Sequence, residues 1–255
     1  MNTVETNPSW TDRLAVFDLE TTGIEVETSR VVTAFVGVIG ADGSLEQSWS
    51  WMADPGIDIP ERATEVHGVT TERARAEGRP AAAVVGEIVA VLRDLLDART
   101  PVVAYNAPYD FSLLHFEALR HGIESIIAPS PVVDPLILDR RLDKYRKGKR
   151  TLEVVAALHG VPLDGAHDAG VDAVAAGRVA QAIGRLYAAE LPSGVDELHE
   201  AQRAWSLEQA ADFQSYMRRI RDPEFVAEGE WPIRHGQDAP AAPVAVPADQ
   251  LPIGI

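Results

Sequence analysis

Cysteine is absent from the chain, which removes disulfides, thiolate nucleophiles and Cys-ligated zinc together. Positive charge is scarce: 23 Lys and Arg stand against 39 Asp and Glu, giving a formal net charge of −16 and a pI near 4.8. A protein that sheathed long duplex DNA by counterion release would be basic, so any polyanionic partner here needs a local basic patch. Long apolar runs are missing too, since no stretch reaches the roughly 18 residues of a membrane helix. Segment 1–12 is polar and lacks the apolar core of a signal peptide. These absences set the expectation of a cytoplasmic protein with no membrane partner. What is present is ordinary globular composition, 46% hydrophobic and 24% charged over 255 residues, enough for one large domain with extensions.

Leu14 to Leu19 is an apolar run interrupted by one acidic residue, the pattern of a buried strand that Gly23 ends. Arg30 to Gly40 is rich in β-branched residues, and the turn Ala41-Asp-Gly43 leads into a return strand, Ser44 to Trp51. Val84, Ile88, Val91, Leu92 and Leu95 then form the stripe of an amphipathic helix. Strands are expected at Pro101–Tyr105 and Pro131–Asp134, with helices at Tyr109–His121, Leu136–Tyr145, Thr151–His159 and Ala169–Ala189. This order predicts an α/β fold, a five-stranded mixed sheet with helices on both faces. The spacing divides the chain into a polar leader over 1–12, a main domain over 13–190, a helical extension over 194–222 and a Pro/Ala-rich tail over 223–255, the last expected to be largely mobile.

Chemistry concentrates in three segments. In Asp18-Leu-Glu-Thr-Thr-Gly23 the two acids are two apart on a strand and so share one face. Burying such a pair is costly unless a divalent cation neutralises it; a solvated strand end is the bland alternative. Asp110 follows a strand and enters the first turn of a helix, where an acid also complements the helix dipole. His167-Asp-Ala-Gly-Val-Asp172 opens another helix, with Asp168 as a cap and Asp172 one turn inside.

Together these segments resemble the three motifs of the DEDDh family, the DnaQ-like 3′–5′ exonucleases of the ribonuclease H-like superfamily, over about Leu14 to Tyr187. Glu65-Val-His-Gly-Val-Thr70 and Val133-Asp-Pro-Leu136 match recurring family segments as well. The resemblance implies a three-layer ribonuclease H-like fold and hydrolysis of phosphodiesters assisted by two hard cations, Mg²⁺ or Mn²⁺, which suit an all-carboxylate set without Cys. It implies that Asp18 bridges both cations, that Glu20 and Asp172 complete one site, and that Asp110 holds the other. His167 would take the proton from the attacking water. Thr21, His67, Asn106 and Phe111 fall where the family meets its substrate, although turn and helix-capping roles compete for His67 and Asn106. His115, His121, His159, His199 and His235 have no motif context and read as structural or surface residues.

Between Arg140 and Arg150 seven basic residues, among them Arg146, Lys147, Lys149 and Arg150, face one acid, Asp143, with Tyr145 in their midst. This patch suits phosphate contacts with a single strand, and a solvated loop is the competing reading. The expected partner is therefore a single-stranded 3′ end, DNA before RNA. Gln250-Leu-Pro-Ile253 faintly resembles the peptides by which bacterial replication proteins hold a sliding clamp, so a weak clamp or polymerase contact through the tail is a further expectation.

Overall fold

The computed structural model describes residues 9–163, 165 and 167–235. Strands β1 (Leu14–Thr21), β2 (Val31–Ile39) and β3 (Leu45–Asp54) form an antiparallel meander. Short strands β4 (Arg79–Pro80), β5 (Val102–Val103) and β6 (Val132–Val133) complete a mixed sheet of order β4-β3-β2-β1-β5-β6. The sheet therefore has six strands where the sequence predicts five. The added strand is two residues lying parallel to Ala53 and Asp54, too short to show any period. β5 runs parallel to β1 and β6 parallel to β5, so the loops leaving all three gather at one end of the sheet.

Two helices that the sequence reading did not mark, α1 (Glu61–His67) and α2 (Thr71–Glu77), follow the meander. Helix α3 (Ala81–Asp97) buries Val84, Val85, Ile88, Val89 and Leu92, close to its expected stripe. It shares one face of the sheet with α4 (Ala107–Arg120), whose first turn carries Pro108. The opposite face is covered by α5 (Pro135–Leu142), α6 (Leu152–Leu158) and α7 (Ala169–Leu186). Ala173, Ala176, Gly177 and Ala180 line the buried side of α7, and their small size lets the helix lie close on the sheet. A Cβ on Gly177 would sit 2.4 Å from Val16 Cγ1 and 2.7 Å from Ile39 Cδ1.

The extension is one helix, α8 (Val195–Ile220), which packs on β6 and α5 through buried Leu198, His199, Gln202 and Ser206. The expectation of a mobile tail from residue 223 needs correction at its start. Trp231 and Ile233 are buried in the same cluster as α3 and α4, because two large apolar side chains outweigh the prolines around them. The clamp-like ending at 250–253, the rest of the tail and most of the leader lie outside the described residues. Among the described residues, no helix is long and apolar enough to cross a membrane.

Candidate active site

Alternation along β1 builds the first half of the site. Ala15, Phe17 and Leu19 point into the cluster under α3 and α4, while Leu14 and Val16 point into the one under α7. Asp18 and Glu20 continue the Leu14–Val16 row past its apolar part, toward the start of α7. Pairing with β2 shifts register between Glu20 and Thr21, which ends the ladder just beyond the two acids. Asp110 arrives from the first turn of α4 and is buried, and its Oδ1 accepts the Leu19 N–H at 3.1 Å, between the two β1 carboxylates.

The third segment enters where α7 begins. Asp168 is its N-cap and accepts the Gly170 and Val171 N–H groups at 3.0 and 3.1 Å, as its position predicts. One turn inside, Asp172 Oδ2 accepts the His167 N–H at 3.1 Å, while Asp172 Oδ1 is buried without a hydrogen-bond partner. His167 has a left-handed backbone, φ 70°, and its side chain is about half exposed. Single ligand atoms of Glu20, His167 and Asp172 lie within 4.8 Å of one another. Glu153 on α6 brings Oε1 to 3.9 Å from His167 Nε2, a neighbour no motif flagged.

Electrostatics mark this cluster as short of positive charge. Among the described residues, Asp18, Glu20, Asp110 and Asp172 have no Lys or Arg ion pair. Burial holds the Asp18 carboxyl well above the usual range, and the charges of Asp110, Glu20 and Asp172 add to it. Glu20 is pushed up to about 8 by burial and then by Asp172 and Asp168. Burial raises Asp110 despite the Leu19 N–H, and it raises Asp172. Four carboxylates that destabilise one another, with one buried oxygen left unpartnered, fit hard divalent cations by their donor chemistry.

The expected substrate residues fare unequally. Thr21 is buried at the rim, where its hydroxyl, the Tyr109 hydroxyl and the Gly23 carbonyl meet in a triangle whose contacts share two protons, each hydroxyl 2.8 Å from the carbonyl oxygen. His67 accepts the Val69 N–H at Nδ1, as a turn-shaping residue does; burial lowers its pKa although the Thr21 carbonyl lies close by. Asn106 is the exposed N-cap of α4, φ 65°, and its side chain makes no capping bond. Phe111 does not face the site: it is 2% exposed and meets Phe17 edge-on, ring centroids 5.4 Å apart, because its place on α4 turns it into the core.

The basic patch is also corrected. Arg146 and Arg150 both bind the buried Asp139 carboxylate, Arg141 pairs with Glu208, and Lys144 with Asp212. Lys147 and Lys149 remain exposed and without ion pairs among the described residues, beside a solvent-facing Tyr145. Two residues that sequence reasoning left without a role stand nearby: Tyr109, flagged only by its place next to Asp110, and Asp134, visible only within its family segment.

A family model, RNase_T, described as "Exonuclease", matches residues 15–180. The chain belongs to this exonuclease family. It is a DEDDh, DnaQ-like member with the ribonuclease H-like fold, as the resemblance implied. Residues of the exonuclease domain are 28% identical over 172 positions to "DNA polymerase III PolC-type" of Clostridium perfringens, covering 67% of this chain and 11% of that protein. The Pediococcus pentosaceus protein of the same name is 27% identical over 167 residues, again 11% of its length. The chain thus spans about a tenth of the curated relatives it matches. E. coli Exonuclease I, solved in complex with a dA16 oligonucleotide, shares the fold at TM-score 0.58 and 18% identity, over 68% of this chain and 41% of that one. Exonuclease I from Methylocaldum szegediense does so at TM-score 0.57 and 17% identity, over 78% of this chain and 45% of that one.

Proposed function

We propose that the chain is a metal-dependent 3′–5′ exonuclease that releases nucleoside monophosphates from single-stranded DNA 3′ ends, with His167 as general base. The observation that carries this reading is the convergence of Asp18, Glu20, Asp110 and Asp172 at one end of the sheet without a cationic partner among the described residues, beside a half-exposed imidazole. Asp18, Glu20, Asp110 and Asp172 would hold two divalent cations, Mg²⁺ or Mn²⁺. When bound, these supply offsetting charge to the carboxylates and polarise the phosphoryl group.

The side chains do the rest. The imidazole of His167 sits at the open edge of the acid cluster, where it accepts the proton of the attacking water and passes it to solvent. Asp172, through the His167 N–H, fixes the backbone that presents that ring, and Glu153 Oε1 stands 3.9 Å from its Nε2. Thr21 and Tyr109 brace the loop after β1 against α4, giving the terminal nucleotide a firm floor. Lys147 and Lys149 offer phosphate contacts, and Tyr145 a base-stacking surface. Oligonucleotide complexes of E. coli Exonuclease I support a single-stranded substrate.

The test is one gel of 5′-labelled DNA and RNA oligonucleotides with Mg²⁺, Mn²⁺ or EDTA. A DNA ladder shortening from the 3′ end with metal, and full-length DNA with EDTA, is expected. Cleavage confined to RNA would make the chain an exoribonuclease. No cleavage of either, from folded protein, would refute the hydrolase reading and leave an accessory role beside a polymerase.

A further inference from the structure

Helix α8 and residues 231–234 lie beyond the family match, yet they reach the helix that carries Asp110. β6 is an edge strand, and α8 closes that edge with side chains in place of another strand. The Val132 N–H donates to His199 Nδ1 at 3.1 Å, the Asp134 N–H to Gln202 Oε1 at 2.7 Å, and Gln202 Nε2 to the Val132 carbonyl at 3.1 Å. Gln202 and Asp134 are fully buried, so every one of these bonds replaces a water that cannot enter.

The Asp134 carboxylate held this way serves two helices. It accepts the Asn106 and Ala107 N–H groups at 3.0 Å each, at the start of α4, and the Leu136 N–H at 2.9 Å, at the start of α5. Asn106 stands at the cap position of α4 without capping it, so Asp134 supplies the bond that the local sequence does not. Trp231 Nε1 donates to Asp134 Oδ2 at 3.3 Å, and its ring packs on His199 with centroids 4.9 Å apart. The next residues hook α4 directly, since the Arg234 N–H donates to buried Ser112 Oγ at 2.8 Å, two positions past Asp110.

We propose that Asp134 and Trp231 are positioning residues: the C-terminal extension braces the first turn of α4 and thereby sets where Asp110 presents its carboxylate to the metal site. The inference rests on the metal-site reading above and adds a function for the part of the chain outside the family match. The Asp110 carboxylate is held by backbone N–H groups, that of Leu19 on β1 and its own in the first turn of α4, so its place depends on how firmly α4 begins. Groups that orient metal ligands from behind typically change metal affinity by about 10- to 100-fold when removed.

The experiment titrates Mn²⁺ into the full chain without substrate, reading free Mn²⁺ by electron paramagnetic resonance, beside melting temperature, kcat and KM. Trp231→Phe keeps an aromatic ring, though a smaller one, and deletes the donor; Asp134→Asn keeps the shape and deletes the charge. Ile88→Val, in the core under α3, is a destabilised control. Expected is a loss of about 10-fold or more in the affinity of one of two Mn²⁺ ions in Trp231→Phe and Asp134→Asn, with kcat lowered, KM for the oligonucleotide nearly unchanged, and Ile88→Val binding like the unaltered chain. If either variant fails to fold, the other decides. Mn²⁺ affinity unchanged in a folded Trp231→Phe or Asp134→Asn, or lowered equally in Ile88→Val, overturns the brace alone. An unaltered chain that binds no Mn²⁺ overturns the metal site and the brace with it.

Discussion

At the scale of single residues, roles separate by what each side chain would leave behind if removed. Asp18 feels four other acids through space, and Asp18→Asn should abolish hydrolysis with the fold intact, checked by activity beside melting temperature. His167 has no ladder or core to support, so His167→Ala should cost about 10² to 10⁴ in kcat. Its proximity to Glu20 and Asp172 admits a ligand role as well, and calorimetry with Mn²⁺ separates the two: unchanged affinity is expected of a base. The basic residues divide in the same way. Losing both Arg146 and Arg150 strands Asp139, 3% exposed, as a lone buried charge, so the double Ala variant should lose roughly 3–5 kcal/mol in denaturant unfolding. Neutralising Lys147 and Lys149 should leave stability within about 0.5 kcal/mol and reduce the salt dependence of oligonucleotide binding by up to about 0.7 per lost phosphate contact.

At the scale of elements, α7 is the piece whose fit decides the site. Gly177 faces Val16, and Asp172 rides five positions earlier on the same rigid helix. Gly177→Ala should cost about 1–3 kcal/mol by overpacking, and it should lower kcat by moving Asp172 and His167 off the β1 acids, measurable in one preparation by melting and by turnover. α7 was readable in the sequence because Asp168, the alanine stripe and the helix length agree. The meander was readable because its strands are long and bounded by turns. The seven-residue helices α1 and α2 were not: α1 buries no residue and α2 only Ala74, so neither has an apolar stripe to show. The five proposed site residues stand in local motifs, whereas Trp231 and Gln202 carry no such signal, since their partner Asp134 lies 97 and 68 positions away. Phe111 was misread for a related reason, because a motif gives a residue's neighbours along the chain and says nothing of which side of its helix meets the core.

At the scale of the molecule, a chain of net charge −16 gathers part of that charge where it hurts folding most. Glu20 titrates at about 8 in the fold against 4.5 in the open chain, so between those values the folded state holds a proton that the unfolded state releases. Stability contributed by that proton is lost as pH rises through about 8, and Asp18, Asp110 and Asp172 shift in the same direction. Glu87, held down to about 2 by Arg79 and Trp51, changes only in acid, and the depressed histidines His67, His115, His159 and His199 act below 6.5. Metal-free protein should therefore melt higher at about pH 7 than at about pH 8.5, and added Mg²⁺ or Mn²⁺ should shrink or reverse the difference. Calorimetry at both values with EDTA checks the sign; a higher melting point at the alkaline value would show that the carboxylates are not crowded. The same spread of ligands has a consequence during synthesis. Asp18 and Asp172 are 154 residues apart, which at ribosomal speed is roughly 8 to 30 seconds. A nascent chain exposes its first two acids long before α7 exists to complete them, and the stretch that anchors Asp134 emerges later still. Under the proposed function, a nascent chain that stops short of α7 lacks Asp172 and is expected to leave the nucleic acid around the ribosome uncut.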